Sequence, residues 1–486
     1  MQKLVQKIKE KITVDYCKLS IVSNPDGLLW NADVQNLLQK NYDIEVVCGS
    51  QLQLRTHFEL VYKKHKTDTK FVYLAPDISH ILPDMANESF VCQFTASDLF
   101  PLFSDKSLLN SQPADVLAEL INTMPLRKIP MSECRLMVDK IKKDVEERRH
   151  RSVEHFRNLL LHSSTEWDKG AETYSLISDI IEKAVRTGAY EHLSPEFSAI
   201  NNSFQVWLDE HYFALQNSSP VIRPYCVSKI LPHLVEKYGQ SQKVSLVVVD
   251  GLALWQWSIL RDYLHEKGIK TDDSITMAWI PTITMLSRQA IFRGANPRPD
   301  YNQNPASEKK LWTDFWRERG FNYFQLQYLS DADEFAINEG VTRLAYVTSE
   351  MDEKMHACKD LKDLHSLTEN WCPRIYDKIA TMKSLGYVVY LTSDHGSTDA
   401  FGKRSLTSVE KVFLYKDGSR GKRHLIYHHA GEIEKMYESL SSIMDILKHD
   451  NWMAIRDNSA LIREGDQIVT HGGCNIKEVV VPFIKI

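Results

Sequence analysis

The stretch Tyr387-Val388-Val389-Tyr390-Leu391-Thr392-Ser393-Asp394-His395-Gly396 decides the fold class. Its apolar, β-branched run reads as a strand buried on both faces, the property of a central sheet covered by helices. Asp394 and His395 then stand at the carboxyl end of that strand, where ligands collect in such sheets, and Gly396 frees the turn. A second strand of this kind, Leu246-Val247-Val248-Val249, ends in Asp250-Gly251. Outward from these two strands, residues 239–486 alternate strand and helix signals, with helices expected near 254–266, 311–319, 367–385 and 433–447 and strands near 274–280 and 344–347. The expected class is therefore α/β.

Two other regions precede this one. Residues 111–238 carry a 3.6-residue period, as in Val116/Leu117/Leu120/Ile121 and Tyr174/Ile177/Ile180/Ile181/Ala184, and predict a helical segment. Its charged run 142–151, KKDVEERRHR, interleaves acids with bases and reads as a solvated helix face. Residues 1–110 alternate short strands with helices and predict a small α/β domain. Asp26 and Asp77 follow strands there, but Ser23-Asn24-Pro25-Asp26 lacks the paired carboxylates that hold Mg²⁺ beside a phosphate-accepting aspartate, which argues against a phospho-receiver.

Composition bounds the rest. A chain of 486 residues predicts about three domains, and with 43% hydrophobic and 25% charged residues it is globular rather than fibrous or disordered. The net charge of -5 offers no global positive field, so a phosphate-bearing partner must be held by local charge or by metal. The 8 cysteines are scattered without a C-x-x-C pair and read as reduced thiols. Leu4, Ile8 and Ile12 make the N-terminus an amphipathic helix rather than a secretory signal. No apolar run approaches the ~18 residues that span a bilayer, so a cytoplasmic location without membrane contact is expected.

Three further stretches bear chemistry. Pro281-Thr282-Ile283-Thr284-Met285-Leu286-Ser287-Arg288 opens a helix, placing a hydroxyl where free N–H groups and the positive dipole end would favour an activated nucleophile; either threonine also fits a simple N-cap. Asp352 and His356 are four residues apart, on one face of a helical turn. That spacing arises about once by chance in such a chain. His471 sits in the glycine-rich turn Thr470-His471-Gly472-Gly473, just before the apolar run 479–483. Together the order Asp250, Thr284, Asp352, His356, Asp394, His395, His471 supplies two ligand sets for two divalent ions. Asp352, His356 and His471 would hold one; Asp250, Asp394, His395 and the Thr284 oxygen would hold the other. Two such ions against three aspartates leave the site at about +1, suited to a phosphate ester.

These residues, with the stretches VVVDG, PTITMLSR, TSDHG and HGGCNIKEVVVPF, resemble the alkaline phosphatase superfamily, and within it the PglZ domain of phage-defence (BREX) proteins and of response regulators such as PorX. The N-terminal IVSNPDGLLW is similar to the opening of PglZ proteins. The resemblance implies an alkaline-phosphatase-like central sheet flanked by helices over 239–486, preceded by the small α/β domain (1–110) and the helical segment (111–238). It implies two metal ions, zinc first and manganese or magnesium as alternatives, and a covalent phospho-threonine. In the nucleotide pyrophosphatase/phosphodiesterase branch the second Thr of Pro-Thr-x-Thr is the nucleophile, which implies Thr284 here and leaves Thr282 as runner-up. The expected activity is a phosphodiesterase or nuclease on nucleic acid or nucleotide diesters in anti-phage defence, with phosphomonoester hydrolysis or a scaffold role as alternatives. Other defence-system subunits and a second copy of the chain are the protein partners considered.

Arg288, one helical turn beyond Thr284, is expected to act in catalysis and grip a phosphate oxygen. Arg420 and Arg423, in the basic stretch 416–424, are expected to bind substrate. His428 and His429 are not expected as ligands, since both sets are filled.

Overall fold

A computed structural model describes residues 2–39, 44–64, 69–75, 78, 81–163, 166–169, 171–240, 242–298, 301–414, 422–429, 431 and 433–486. The chain forms two compact units, Met1–Ser152 and Val153–Ile486, and the helical stretch 111–238 is shared between them.

In the first unit, β1 (Leu19–Ser23), β2 (Ile44–Cys48), β3 (Lys70–Ala75) and β4 (Ser89–Gln93) form a sheet of order β2-β3-β1-β4, parallel throughout. Parallel strands need covered faces. One face packs into a core that includes Val22, Val72, Leu74 and Leu117, the other into one that includes Ile21, Phe58, Phe71 and Tyr73. The Asp26 carboxylate after β1 accepts hydrogen bonds from Asn24 and from the backbone N–H groups of Leu28 and Ala96. It is spent on shaping its own loop, in keeping with the reading against a receiver. Asp77 lies outside the described residues.

The second unit is built on a six-stranded sheet. Its strands are β5 (Val244–Val249), β6 (Ile275–Met277), β7 (Leu326–Ser330), β8 (Arg343–Thr348) and β9 (Val388–Ser393), completed after two smaller sheets by the last strand. The smaller sheets use β10 (Thr398–Gly402), β11 (His424–Ile426), β12 (Ile446–Lys448), β13 (Trp452–Ile455), β14 (Ser459–Ala460) and β15 (Gln467–Thr470). With β16 (Val480–Lys485), the main sheet runs β6-β16-β9-β5-β8-β7. Strands β9, β5, β8 and β7 are parallel, whereas β16 runs antiparallel to its two neighbours. Every residue of β5 and of β8 is buried, so the apolar runs seen in the sequence are those of strands covered on both faces.

The later helices brace the site loops. Tyr212, on the helix Ser194–Gln216, donates its hydroxyl to the Ala278 carbonyl at 3.0 Å and accepts from the Ile280 N–H at 2.8 Å. From the same helix, Gln205 donates to the Cys474 carbonyl at 2.7 Å, and the Asn201 side chain accepts from the Ile476 N–H at 3.0 Å. This helix thereby fixes the backbone on both the threonine and the His471 sides of the sheet.

One sequence expectation is corrected. The helix expected over 433–447 ends at Ser441, and the chain then enters β12. Ile433, Met436 and Leu440 keep the helical period, but Ile446 joins them in the core from a strand antiparallel to β13. Among the described residues, no helix is long and apolar enough to cross a membrane.

Candidate active site

The carboxyl ends of β5 and β9 lie side by side, with Val249 paired to Ser393, so Asp250 and Asp394 begin the site as neighbours. Asp250 is 4% exposed, and Asp394 and His395 are fully buried. Gly251 takes φ 76°, and a β-carbon there would come within 3.1 Å of Asp352 Oδ1; glycine is what lets Asp352 approach. Asp352 and His356 lie at the helix Glu350–Met355 that follows β8. His471 follows β15.

All seven side chains converge. His395 Nε2 is 3.4 Å from Asp250 Oδ1 and 3.6 Å from Asp394 Oδ2. His356 Nε2 is 3.4 Å from Asp352 Oδ2, and His471 Nε2 is 3.6 Å from Asp352 Oδ1. The His395 and His471 rings stack with centroids 3.9 Å apart. Thr284 Oγ1 lies 3.1 Å from His395 Nε2 and 3.5 Å from Asp250 Oδ1. Each of the two stacked imidazoles uses Nδ1 on a backbone carbonyl, His395 on Gly396 at 3.1 Å and His471 on Thr282 at 2.9 Å. Both Nε2 atoms are thus turned into the site, the orientation that metal-binding histidines receive from their outer contacts.

The donor set fits divalent cations. Ligand atoms of Asp352, His356 and His471 lie within 4.8 Å of one another, as do those of Asp250, Asp352 and His395. Asp352 therefore stands in reach of both groups, while Asp394 approaches the second through His395. Asp352 Oδ1 and Asp394 Oδ2 are buried without a hydrogen-bond partner among the described residues, a state that is costly unless a cation completes it. Burial, reinforced by Asp394 and Asp352, raises the Asp250 pKa well above the carboxylate range. Burial pushes Asp394 up to about 7 despite the opposing Arg288 charge. Asp352 is also pushed up by burial, but the His356 hydrogen bond and the charges of His471 and His395 outweigh it and hold its pKa low. Burial, with His395 alongside, brings His471 down to about 3, so its imidazole is neutral and able to ligate.

The two threonines of the motif have separate environments. Thr282 is fully buried; its hydroxyl donates to the Gly473 carbonyl at 2.8 Å and accepts from the Gly472 N–H at 3.1 Å. Thr284 is the first residue of the helix Thr284–Arg293, and its hydroxyl points into the donor set.

Two arginine expectations change. Arg288 is nearly buried, with Nη1 2.9 Å from Asp250 Oδ2 and Nε 2.6 Å from Glu308 Oε1, while Nη2 donates to Glu308 Oε2 at 2.6 Å. Its fork is committed to two carboxylates and holds Asp250 in place. Arg423 was expected to bind substrate but is fully buried in an ion pair with Glu478 at 2.8 Å, and it also donates to the Ser459 and Asp457 carbonyls. No substrate reaches it. Glu478 in turn accepts from the Gly473 N–H at 2.9 Å and the Asn475 N–H at 3.0 Å, so the pair fastens the turn that follows His471. Arg420 lies outside the described residues. Glu308 and Glu478 carried no signal in the sequence, since each is one acid in an ordinary helix.

A family model described as the BREX system PglZ alkaline phosphatase-like domain matches residues 228–486, more than half of the chain. No curated protein matches. Among solved structures, murine ectonucleotide pyrophosphatase/phosphodiesterase 5 is similar at 13% identity and TM-score 0.34, covering 50% of this chain and 88% of that one. Phosphonoacetate hydrolase from Sinorhizobium meliloti is similar at 11% identity and TM-score 0.36, covering 50% and 89%. With the BREX system PglZ alkaline phosphatase-like domain matched across more than half its length, the chain belongs to the PglZ family.

Proposed function

We propose that this chain is a metal-dependent phosphodiesterase acting on nucleic acid or nucleotide diesters, with Thr284 as nucleophile. The observation that carries the reading is the Thr284 hydroxyl, free of structural duty and within 3.5 Å of both His395 and Asp250, while the Thr282 hydroxyl is consumed by the Gly472–Gly473 backbone. Asp250, Asp352, His356, Asp394, His395 and His471 would hold two divalent ions, zinc being favoured by the mixed imidazole and carboxylate donors. Those ions, when bound, supply charge that favours the threonine alkoxide and offsets the charge of the phosphoryl oxygens.

The chain does the rest. Thr284 Oγ gives its proton to solvent and attacks phosphorus, and an Oγ–P bond forms as the P–O bond to the leaving group breaks and that oxygen takes up a proton. Water then attacks the same phosphorus, breaking the Oγ–P bond, returning a proton to Oγ and releasing the phosphate monoester. The N-terminus of the ten-residue helix Thr284–Arg293 faces the same oxygen and favours negative charge there. Arg288, fixed by Glu308, keeps the Asp250 carboxylate aimed. Arg288→Gln should therefore lower metal affinity or turnover by about 10–100-fold, read by metal titration and by initial rates. The BREX description of the family supports a place in anti-phage defence.

Turnover of bis-p-nitrophenyl phosphate against p-nitrophenyl phosphate, measured on metal-loaded protein, tests the substrate class. The expected result is a diester kcat/KM at least about tenfold above the monoester value, a transition-state preference of ~1.4 kcal/mol. The opposite ranking makes the chain a phosphomonoesterase working through the same residues.

A further inference from the structure

Gln256 is the third residue of the helix Leu254–Glu266 and is fully buried, yet it has no part in the chemistry above. Its Oε1 accepts from the Ala253 N–H at 2.9 Å, while its Nε2 donates to Thr368 Oγ1 at 2.8 Å and to Met351 Sδ at 3.3 Å. The amide has one orientation here. Thr368 spends its own proton on the Leu364 carbonyl at 2.8 Å, so toward Gln256 it only accepts, and the Ala253 N–H only donates.

These partners sit beside both ligand groups. Ala253 closes the turn that begins at Asp250, and the rest of that turn is tied to β9 and its end: the Gly251 N–H donates to Asp394 Oδ1 at 3.2 Å and the Leu252 N–H to Ser393 Oγ at 3.0 Å. Met351, fully buried, immediately precedes Asp352 on the helix Glu350–Met355. A helix of six residues does not hold itself, so its place is set by what it packs on. The backbone ladder joins the two segments as far as the Asp250 N–H on the Thr348 carbonyl, at 2.9 Å. Beyond that point they approach closely at Gly251, which has no side chain to bond with. The Gln256 amide supplies a polar join there, anchored on Thr368 of the helix Leu361–Ser384.

We propose that Gln256 is a positioning residue that fixes the Asp250 turn against the helix carrying Asp352, and so sets how far apart the two ligand groups stand. Asp352 is in reach of both groups, so a shift of its helix alters the separation of a bound pair. The inference rests on the two-ion part of the phosphodiesterase reading and adds the residue that keeps the ions' spacing. An uncharged amide suits this task, because it offers a donor and an acceptor at a fixed angle and leaves the charge of the site unchanged.

The test is electron paramagnetic resonance and metal titration on manganese-loaded protein. Two Mn²⁺ ions about 3.5–4 Å apart are spin-coupled and lose the six-line spectrum of an isolated ion. The parent should show the coupled spectrum. For Gln256→Met, at the same free Mn²⁺, the six-line spectrum should return, with the Kd of the weaker ion raised by about tenfold, ~1.4 kcal/mol. Tyr387→Phe is the control: it deletes a buried hydroxyl bonded to the Val341 carbonyl at 2.7 Å, at the amino end of the same sheet. It should lower the thermal midpoint and keep the coupled spectrum. Coupling and affinity unchanged in Gln256→Met, or lost equally in Tyr387→Phe, overturn the inference and leave the enzyme reading standing. Should Gln256→Met not fold, Thr368→Val, which removes the oxygen that holds Nε2, is judged by the same two results. A parent protein that takes up fewer than two ions overturns both the inference and the two-ion reading.

Discussion

Thr284→Ala should lower diester turnover by at least about 10³-fold, the scale seen when a covalent nucleophile is removed. Its fold and metal content should stay those of the parent, because Thr284 Oγ1 bonds only within the donor set. Thr284→Ser should keep part of the activity, since it keeps the attacking oxygen. Thr282→Ala should behave differently. It removes a hydroxyl that satisfies the Gly473 carbonyl and the Gly472 N–H, both buried, and so costs about 1–3 kcal/mol of stability. Any loss of rate would follow from a loosened His471 turn. Full activity in Thr284→Ala beside a folded but inactive Thr282→Ala would transfer the nucleophile to Thr282. Initial rates, metal analysis and thermal melts on the same preparations decide between them.

The second large effect concerns folding. Arg423→Ala leaves the Glu478 carboxylate fully buried and without its ion-pair partner, and removing one member of a buried pair typically costs about 3–5 kcal/mol. Burial lowers the Arg423 pKa and Glu478 more than compensates, so the guanidinium remains charged and the pair is intact at neutral pH. Urea unfolding of the variant should show a midpoint well below the parent's. Because Glu478 also holds the Gly473 and Asn475 N–H groups, metal affinity should fall with stability. An Arg423 that bound substrate would behave otherwise, losing KM while keeping its urea midpoint.

The contrast between these arginines shows what the sequence could disclose. Asp250, Asp394 and His395 were legible because each follows an apolar strand, and the carboxyl end of a buried strand is a place fixed by topology. Asp352 and His356 were legible through helical spacing. Convergence of Asp250, Asp352, His356, Asp394 and His395 followed from the common sheet, whereas His471 is brought in by β15 of a smaller sheet. Arg423 was misread because a basic residue in the run 416–424 looks solvated, and what buries it is an acid 55 positions away. Glu308 escaped for the same reason, being the partner of Arg288 from another helix. The short strands between β10 and β15 were missed because segments of two to five residues hold little periodicity, and their pairing is decided by partners distant in the chain. The region 433–447 shows the limit most plainly: its helical period was real as far as Ser441, but pairing with β13 overruled it at Ile446.

The proposed chemistry requires that these buried acids and imidazoles hold cations that drive ester cleavage. The direct measurement is metal content and bis-p-nitrophenyl phosphate turnover on one sample, before chelation, after it, and after zinc or manganese is returned. Two ions per chain, with turnover lost on chelation and regained on reconstitution, is the predicted result. Turnover that continues unchanged in the chelated, metal-free protein would contradict it.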